Sequence, residues 1–309
     1  MIHVIVNANA RAGRKQKASE IVEQALKDAG IAYTLYLAAE EGDTRRLCNE
    51  LSSVPGEKTI WVVGGDGTAN EAINGLCVNE ELSFVYLPAG SGNDLARGLK
   101  LPQKLREAID KVLSSTAKKE YDYGEMELIC GEETVTTRFA GSSGIGYDAK
   151  VCEEVNTSKL KKRLNKFHLG KLAYYMVAIR QVFVNPRFQV TLIPDGGVSR
   201  SYSDCIFLCM MNHRYEGGGL KMAPDADPCD GQITVTFAHN MRPLKVLLIM
   251  PLILTGAYTK LKNVETIRCR ELEVITNCPQ YVHNDGEVLG EYRHLKVRCG
   301  EGKLRMPEV

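Results

Sequence analysis

Four short stretches hold the residues best suited to chemistry. In VVGGDGTANEAINGL, from Val62 to Leu76, Gly64, Gly65 and Gly67 surround one acid, Asp66, between an apolar run and a helix-like pattern. Glycines allow positive φ values and close approach of the backbone to a ligand. Thr68 with Glu71 three residues on reads as a capping box, and the N–H groups that open such a helix attract a phosphate. A tight strand-to-helix turn needing glycine for packing alone is the competing reading. SGND at 91–94 is a second polar loop after an apolar run, readable equally as an N-cap for LARGL. NDGE at 284–287 sets Asp285 and Glu287 two residues apart on a turn, which alone also reads as a hairpin. DADPCDG at 225–231 is acid-rich but lacks the spacing and terminal glutamate of an EF-hand. The patterns GxxxxGK[ST] and GxGxxG are both absent, so neither a P-loop nor a Rossmann fingerprint applies.

The elements that must position these loops alternate over the first third. IHVIVN reads as a strand and RKQKASEIVEQALKDAG as a helix, with Ile21, Val22, Ala25 and Leu26 on one face and Gly30 as its stop. IAYTLYLA, TIWVVGG and ELSFVYLPAG are further strands, and TRRLCNELSS a second helix. Nearly continuous apolar strands alternating with helices predict a parallel sheet, whose ligands bind at the carboxyl ends of the strands. After about Tyr121 the texture changes to short runs such as TVTTRFA, RFQVTLI, QITVTFA and HLKVRC, separated by Gly, Pro and Asp turns. This predicts an α/β domain over 1–122, completed by the last residues of the chain, and a β-rich, sandwich-like domain over 123–300. Helical insertions are expected around 159–183 and 243–262.

Composition sets outer bounds. The chain is 44% hydrophobic and 25% charged with formal net charge +1, which argues against a nucleic-acid binder working by bulk charge. Its ten cysteines form no CxxC pair, and Cys205 and Cys209 have no histidine pair nearby, so zinc is not indicated. MIHVIVNANARAGRK reads as a strand entering a loop rather than a signal peptide, so free thiols in a reducing cytoplasm are expected. VLLIMPLIL at 246–254 is far short of a bilayer span and carries a proline.

GGDGTANEAINGL followed by LPAGSGNDLARGLKLP resembles the bacterial diacylglycerol kinases and the wider lipid kinase group that includes sphingosine and ceramide kinases. The resemblance runs over essentially the whole chain. Asn9-Ala10-Arg11-Ala12-Gly13 is similar to the NPxSG-like nucleotide loop, with Ala10 where proline is usual. GIGYDAKV, APDADPCDGQITV and HNDGE are similar to the later motifs. The resemblance implies a three-layer α/β nucleotide-binding domain and a β-sandwich-like domain with helical insertions. It implies transfer of the γ-phosphate of ATP, with Mg2+, to a lipid hydroxyl, with diacylglycerol giving phosphatidic acid. Asn9, Gly64, Gly65, Gly67, Thr68, Ser91, Gly92 and Asn93 are then expected at the nucleotide phosphates. Asp66, Asp94 and Asp122 are expected in the magnesium network, Glu287 as the base and Asp285 as a supporting acid. A structural magnesium is implied at Asp230, with carbonyls from Asp227 and Gln232, although relatives often have lysine where Asp227 stands.

Two segments bear on a lipid partner. Residues 159–183 pass from a cationic start to an apolar helix, and Arg242/Lys245 and Lys260/Lys262 flank an apolar stretch. That layout suits an anionic membrane surface, and equally suits solvated faces around core helices. The expected partners are a lipid at a membrane and a second copy in a homodimer, with no nucleic acid. The expected location is cytoplasmic, peripheral to the membrane. Two other functions fit the glycine loop: a kinase of a water-soluble acceptor resembling NAD kinase, and a non-catalytic nucleotide or lipid sensor.

Overall fold

The computed structural model describes residues 1–12, 16–157 and 170–308. Gly13 and the cationic start over 159–169 lie outside those residues. The first domain contains β1 (Ile2–Asn7), β2 (Arg11–Ala12), β3 (Gln16–Lys17), α1 (Ala18–Asp28), β4 (Tyr33–Ala38) and α2 (Asp43–Ser52). It continues through β5 (Lys58–Gly64), α3 (Asp66–Gly75), β6 (Leu82–Pro88), α4 (Asp94–Gly98), α5 (Leu105–Ser114) and β7 (Lys118–Tyr121). β4, β1, β5 and β6 lie side by side and parallel. Every residue of β6 is buried, which is why the run is apolar without alternation. α1 buries Ala18, Val22, Ala25 and Leu26 at helical spacing, and Ile21 packs at the edge of that core. The helix begins later than its sequence pattern, because Gln16 and Lys17 pair with β2 instead.

The second domain contains β8 (Gly124–Cys130), β9 (Glu133–Phe139), β10 (Ser142–Gly146), α6 (Tyr147–Thr157), α7 (Gly170–Val184) and β11 (Phe188–Pro194). Then come β12 (Arg200–Met211), β13 (Ile233–His239), α8 (Pro243–Ile253), β14 (Val264–Cys269), β15 (Glu271–Asn284) and β16 (Glu287–Cys299). The nine strands form one antiparallel network, β14-β13-β12-β10-β15-β16-β8-β9, with β11 pairing both β12 and β15. Among the described residues one apolar core draws on all nine strands and on no helix. The sheet therefore covers its own inner face, which makes the domain sandwich-like. The outward side of β12, at Ile206, Phe207, Cys209 and Met211, packs with Val182 of α7 and Val246 of α8 in a separate apolar cluster.

The chain then returns to its beginning. β17 (Leu304–Pro307) lies between β6 and β7, parallel to the first at Arg305 and Ser83 and antiparallel to the second. Among the described residues no helix is long and apolar enough to cross a membrane.

Candidate active site

Neighbouring parallel strands bring their carboxyl-terminal loops together. β5 and β6 run in register to Gly64 and Pro88, and Ala89 N–H then donates to the Gly64 carbonyl at 2.8 Å. Gly64, Gly65 and Gly67 do not take the positive φ expected of them. Their role is close approach. A Cβ on Gly90 would lie 2.5 Å from Gly65 Cα, and one on Gly64 would lie 2.4 Å from Thr68 Oγ1. Backbone cannot yield as a flexible side chain can, so Gly90→Ala is expected to cost about 1–3 kcal/mol. A urea melt measures that loss, and unchanged stability would mean that the two loops part freely.

The local caps differ from the sequence reading. α3 opens at Asp66 with no capping box. Glu71 Oε1 instead accepts Gly42 N–H at 3.2 Å, and Thr68 Oγ1 accepts from Asn7 Nδ2 at 3.2 Å. Asn9 sits beside that contact, its N–H donating to Asn7 Oδ1 at 2.9 Å. Asn93 is left-handed, with φ 53, and its side chain caps no helix. It clasps its own loop, accepting Gly90 N–H at 2.9 Å and donating to the Gly90 carbonyl at 3.1 Å.

Asp66, Asp94 and Asp285 line one polar pocket of about 330 Å³, together with Ser91, Gly92 and His213. Asp66 Oδ1 accepts Leu95 N–H at 3.2 Å, and its Oδ2 lies against Gly92, where a Cβ would come within 2.7 Å. Burial pushes the Asp66 carboxyl up to about 6, and the Asp94 and Asp285 charges add to the shift. Asp94 pairs with Arg97 and accepts Gly218 N–H at 2.6 Å from the second domain. Asp285 is left-handed, with φ 49. Its Oδ1 accepts Gly141 and Ser142 N–H at 2.8 and 2.9 Å, and its Oδ2 accepts Ala140 N–H at 2.8 Å and Asn70 Nδ2 at 3.0 Å. Burial raises the Asp285 carboxyl despite those donors. Among the described residues the lining holds no lysine or arginine, and the Asp66 and Asp94 carboxylates are hard-oxygen donors of the kind a magnesium ion takes.

His213 was not singled out from the sequence. Burial, with Arg97 nearby, pushes it down to about 4, so the ring is neutral at pH 7. Its Nδ1 accepts Tyr215 N–H at 3.4 Å, which leaves the ring hydrogen on Nε2, a buried atom without a hydrogen-bond partner among the described residues. His213, Glu216 and Gly218 all fall in NHRYEGGG, an acid beside a glycine run like the one at Asp66. That likeness was the available signal.

Other expected residues lie elsewhere. Gly64, Gly65, Gly67, Thr68, Asn9 and Asn93 belong to the surrounding loops and are not in the pocket lining. Glu287, expected as the base, is exposed with its carboxylate against Gly67, and it is Asp285 that faces the pocket. Asp122, expected with the catalytic magnesium, belongs to the 227–232 turn. It accepts Gly231 N–H at 2.7 Å and the Lys303 ammonium, while its own N–H donates to the Pro228 carbonyl. Asp230 pairs with Arg268 and accepts Gln232 N–H at 2.9 Å, and Asp227 accepts Cys229 N–H at 3.1 Å. Asp230 thus faces Arg268 and Asp122 faces Lys303.

A second cavity, of about 540 Å³, is apolar and lies among α6, α8 and the outward side of β12, with Val151, Phe207, Val246 and Met250 in its walls. Cys152, Glu216 and Gly217 line both cavities.

Residues 1–126 match the diacylglycerol kinase catalytic domain, and residues 141–306 match the YegS C-terminal NAD kinase beta sandwich-like domain. A diacylglycerol kinase of Mycobacterium tuberculosis is 26% identical over 287 residues, covering 93% of this chain and 88% of that protein. Bacillus subtilis YtlR, provisionally named a lipid kinase, is 24% identical over 295 residues, covering 94% of each. A solved structure from Bacillus anthracis str. Sterne, provisionally named a diacylglycerol kinase, has the same fold, with TM-score 0.77 at 24% identity over 100% of this chain and 97% of that one. With both domains matched in order along its length, the chain belongs to the bacterial diacylglycerol kinase family of lipid kinases.

Proposed function

We propose that this chain transfers the γ-phosphoryl group of Mg·ATP to the hydroxyl of a lipid, diacylglycerol being the first acceptor to consider and phosphatidic acid its product. The observation that carries this reading is the junction at Cys152, Glu216 and Gly217, where the polar pocket meets the apolar cavity. A tail held in the cavity presents its head to the carboxylates, whereas a kinase of a water-soluble acceptor has no use for that connection. On α8, Leu244, Leu248 and Leu252 are exposed while Leu247 and Met250 line the cavity. One helix thus offers an apolar face to a membrane and another to the lipid drawn from it.

Within this reading Asp66 and Asp94 would hold magnesium through its waters. When bound there, the ion would supply neutralisation of the charge on the transferring phosphates. The loops after β5 and β6 cradle those phosphates. Asp66, which faces the pocket, takes the lipid hydroxyl's proton late in a loose transition state. Asp285, with both oxygens occupied, is the fixed member of the set.

The test is an incubation with Mg2+, γ-labelled ATP and detergent-dispersed diacylglycerol, followed by solvent extraction. Lipid-dependent label in the organic phase is expected. Label confined to ATP and free phosphate, with diacylglycerol and then other lipids, would remove the lipid-kinase reading.

A further inference from the structure

The apolar cavity can be sized against its occupant. One methylene of a lipid tail takes nearly the space of one water in the liquid, about 30 Å³. A cavity of about 540 Å³ therefore has room for about 18 methylenes. That is one long acyl chain, and not the two that a long-chain diacylglycerol carries. The walls show how such a chain lies. Cys152, Glu216 and Gly217 mark the end nearest the carboxylates, since they line both cavities. β12 runs toward that end, where His213 of the polar pocket follows it, and Ile206 and Phe207 stand further back along the strand. Ala238 is in register with Phe207 on the neighbouring strand. α8 crosses in the other sense. Its carboxyl end meets the loop beside the junction, where Lys221 N–H donates to the Ile253 carbonyl at 3.0 Å, and Val246 near its start packs in one cluster with Phe207 and Ala238. Phe207, Ala238 and Val246 thus form the wall away from the reaction. The side of the cavity is open: Ile179 on α7 and Leu254 just after α8 line it, yet are 47% and 59% exposed.

We infer that this cavity measures a single acyl chain of the acceptor, with Ala238 setting the limit at its far wall, and that a second chain stays outside through the open side. Protein interiors are packed without slack, so methylenes beyond the volume of a cavity are refused rather than absorbed. Each methylene that does enter from water is worth about fourfold in binding. Ala238 is buried and carries the smallest side chain of that wall, so a larger residue there shortens the space directly.

The inference rests on the lipid-kinase reading, and the experiment separates the two. Diacylglycerols short enough to dissolve as monomers are compared, first with one chain lengthened beside a fixed acetyl group and then with both chains lengthened together. The first series is expected to gain about fourfold in kcat/KM per methylene, and the second less than about twofold more in total. Equal gains from both chains, or no gain from either, overturn the inference and leave the lipid-kinase reading standing. Long 1-monoacylglycerols are then compared at one mole fraction in mixed micelles. Turnover should hold to chains of about 18 carbons and fall about tenfold or more within about four carbons beyond. Ala238→Phe fills the sheet side of the far wall and Val246→Phe the helix side, so one remains should the other not fold. In either, the fall should come about three carbons earlier. The absence of a fall, or one that neither variant moves, overturns the inference. If no lipid is phosphorylated in any series, the lipid-kinase reading falls with it.

Discussion

Asp66→Asn is expected to abolish phosphoryl transfer and at the same time stabilise the ligand-free protein. The loss of turnover should be about 10³-fold, the scale for removing a positioned proton acceptor whose charge also serves the phosphates. The gain in stability follows from burial. In the unfolded chain this carboxyl titrates at its usual value of 3.8, and in the folded chain at about 6. The folded state therefore binds the proton more tightly, and the group's contribution is fully present below pH 4 and lost as the pH rises through 6. At pH 8 the folded protein carries a buried charge that costs about 2–3 kcal/mol relative to the neutral group. Asparagine keeps an oxygen for Leu95 N–H without that charge. Thermal melts of the two proteins at pH 4 and pH 8 provide the check. The variant should melt higher at pH 8, with the gap narrowing at pH 4. Equal gaps at both pH values, or normal turnover, would remove Asp66 from the role assigned to it.

Asp285→Asn is expected to fail in both respects. Asp285 shares the pocket and is also raised by burial, yet its two oxygens accept three backbone N–H groups and the Asn70 amide. An amide there turns one acceptor into a donor facing Ala140 N–H and Asn70 Nδ2. Leaving such buried donors unmatched costs about 1–3 kcal/mol each. The same bonds join α3 of the first domain to β10 and the β15–β16 turn of the second. Loosening them should lower turnover about 10²-fold or more by displacing the other carboxylates, alongside a lower denaturation midpoint in urea. A variant as stable as the unaltered protein would show that this anchor does not hold the domains. The two carboxylates thus make opposite predictions for stability, set by how many donors each one meets.

How much of this was legible in the sequence depended on range. β5 and β6 were readable because strands buried on both faces must be apolar throughout. The order of the two domains was readable from the change from helix–strand alternation to short strands. Asp66, Asp94 and Asp285 could be picked out because acids flanked by glycine stand out at close range. What failed was whatever a distant neighbour decides. Glu71 has the spacing of a capping box, but Gly42 N–H reaches it first. Asp122 carries Lys303, from far along the chain, on its carboxylate, a contact that its own neighbours do not announce. His213 and His283 take their character from burial and from one backbone N–H each, and neither property leaves a mark in the neighbouring sequence.

The strand Leu304–Pro307 has a consequence for how the protein is made. It is translated after the whole of the second domain, yet it fills the gap between β6 and β7 in the sheet of the first. While the ribosome is still working through β8 to β16, β6 waits with one edge open, and β7 has no partner in that sheet. An open edge beside such an apolar strand invites pairing with another chain, and closing the contact from Ser83 to Arg305 spans most of the polypeptide, a slow step for any folding chain. The nucleotide-binding domain begins first and finishes last. In the cell, the interval between those events is when this protein most depends on chaperones.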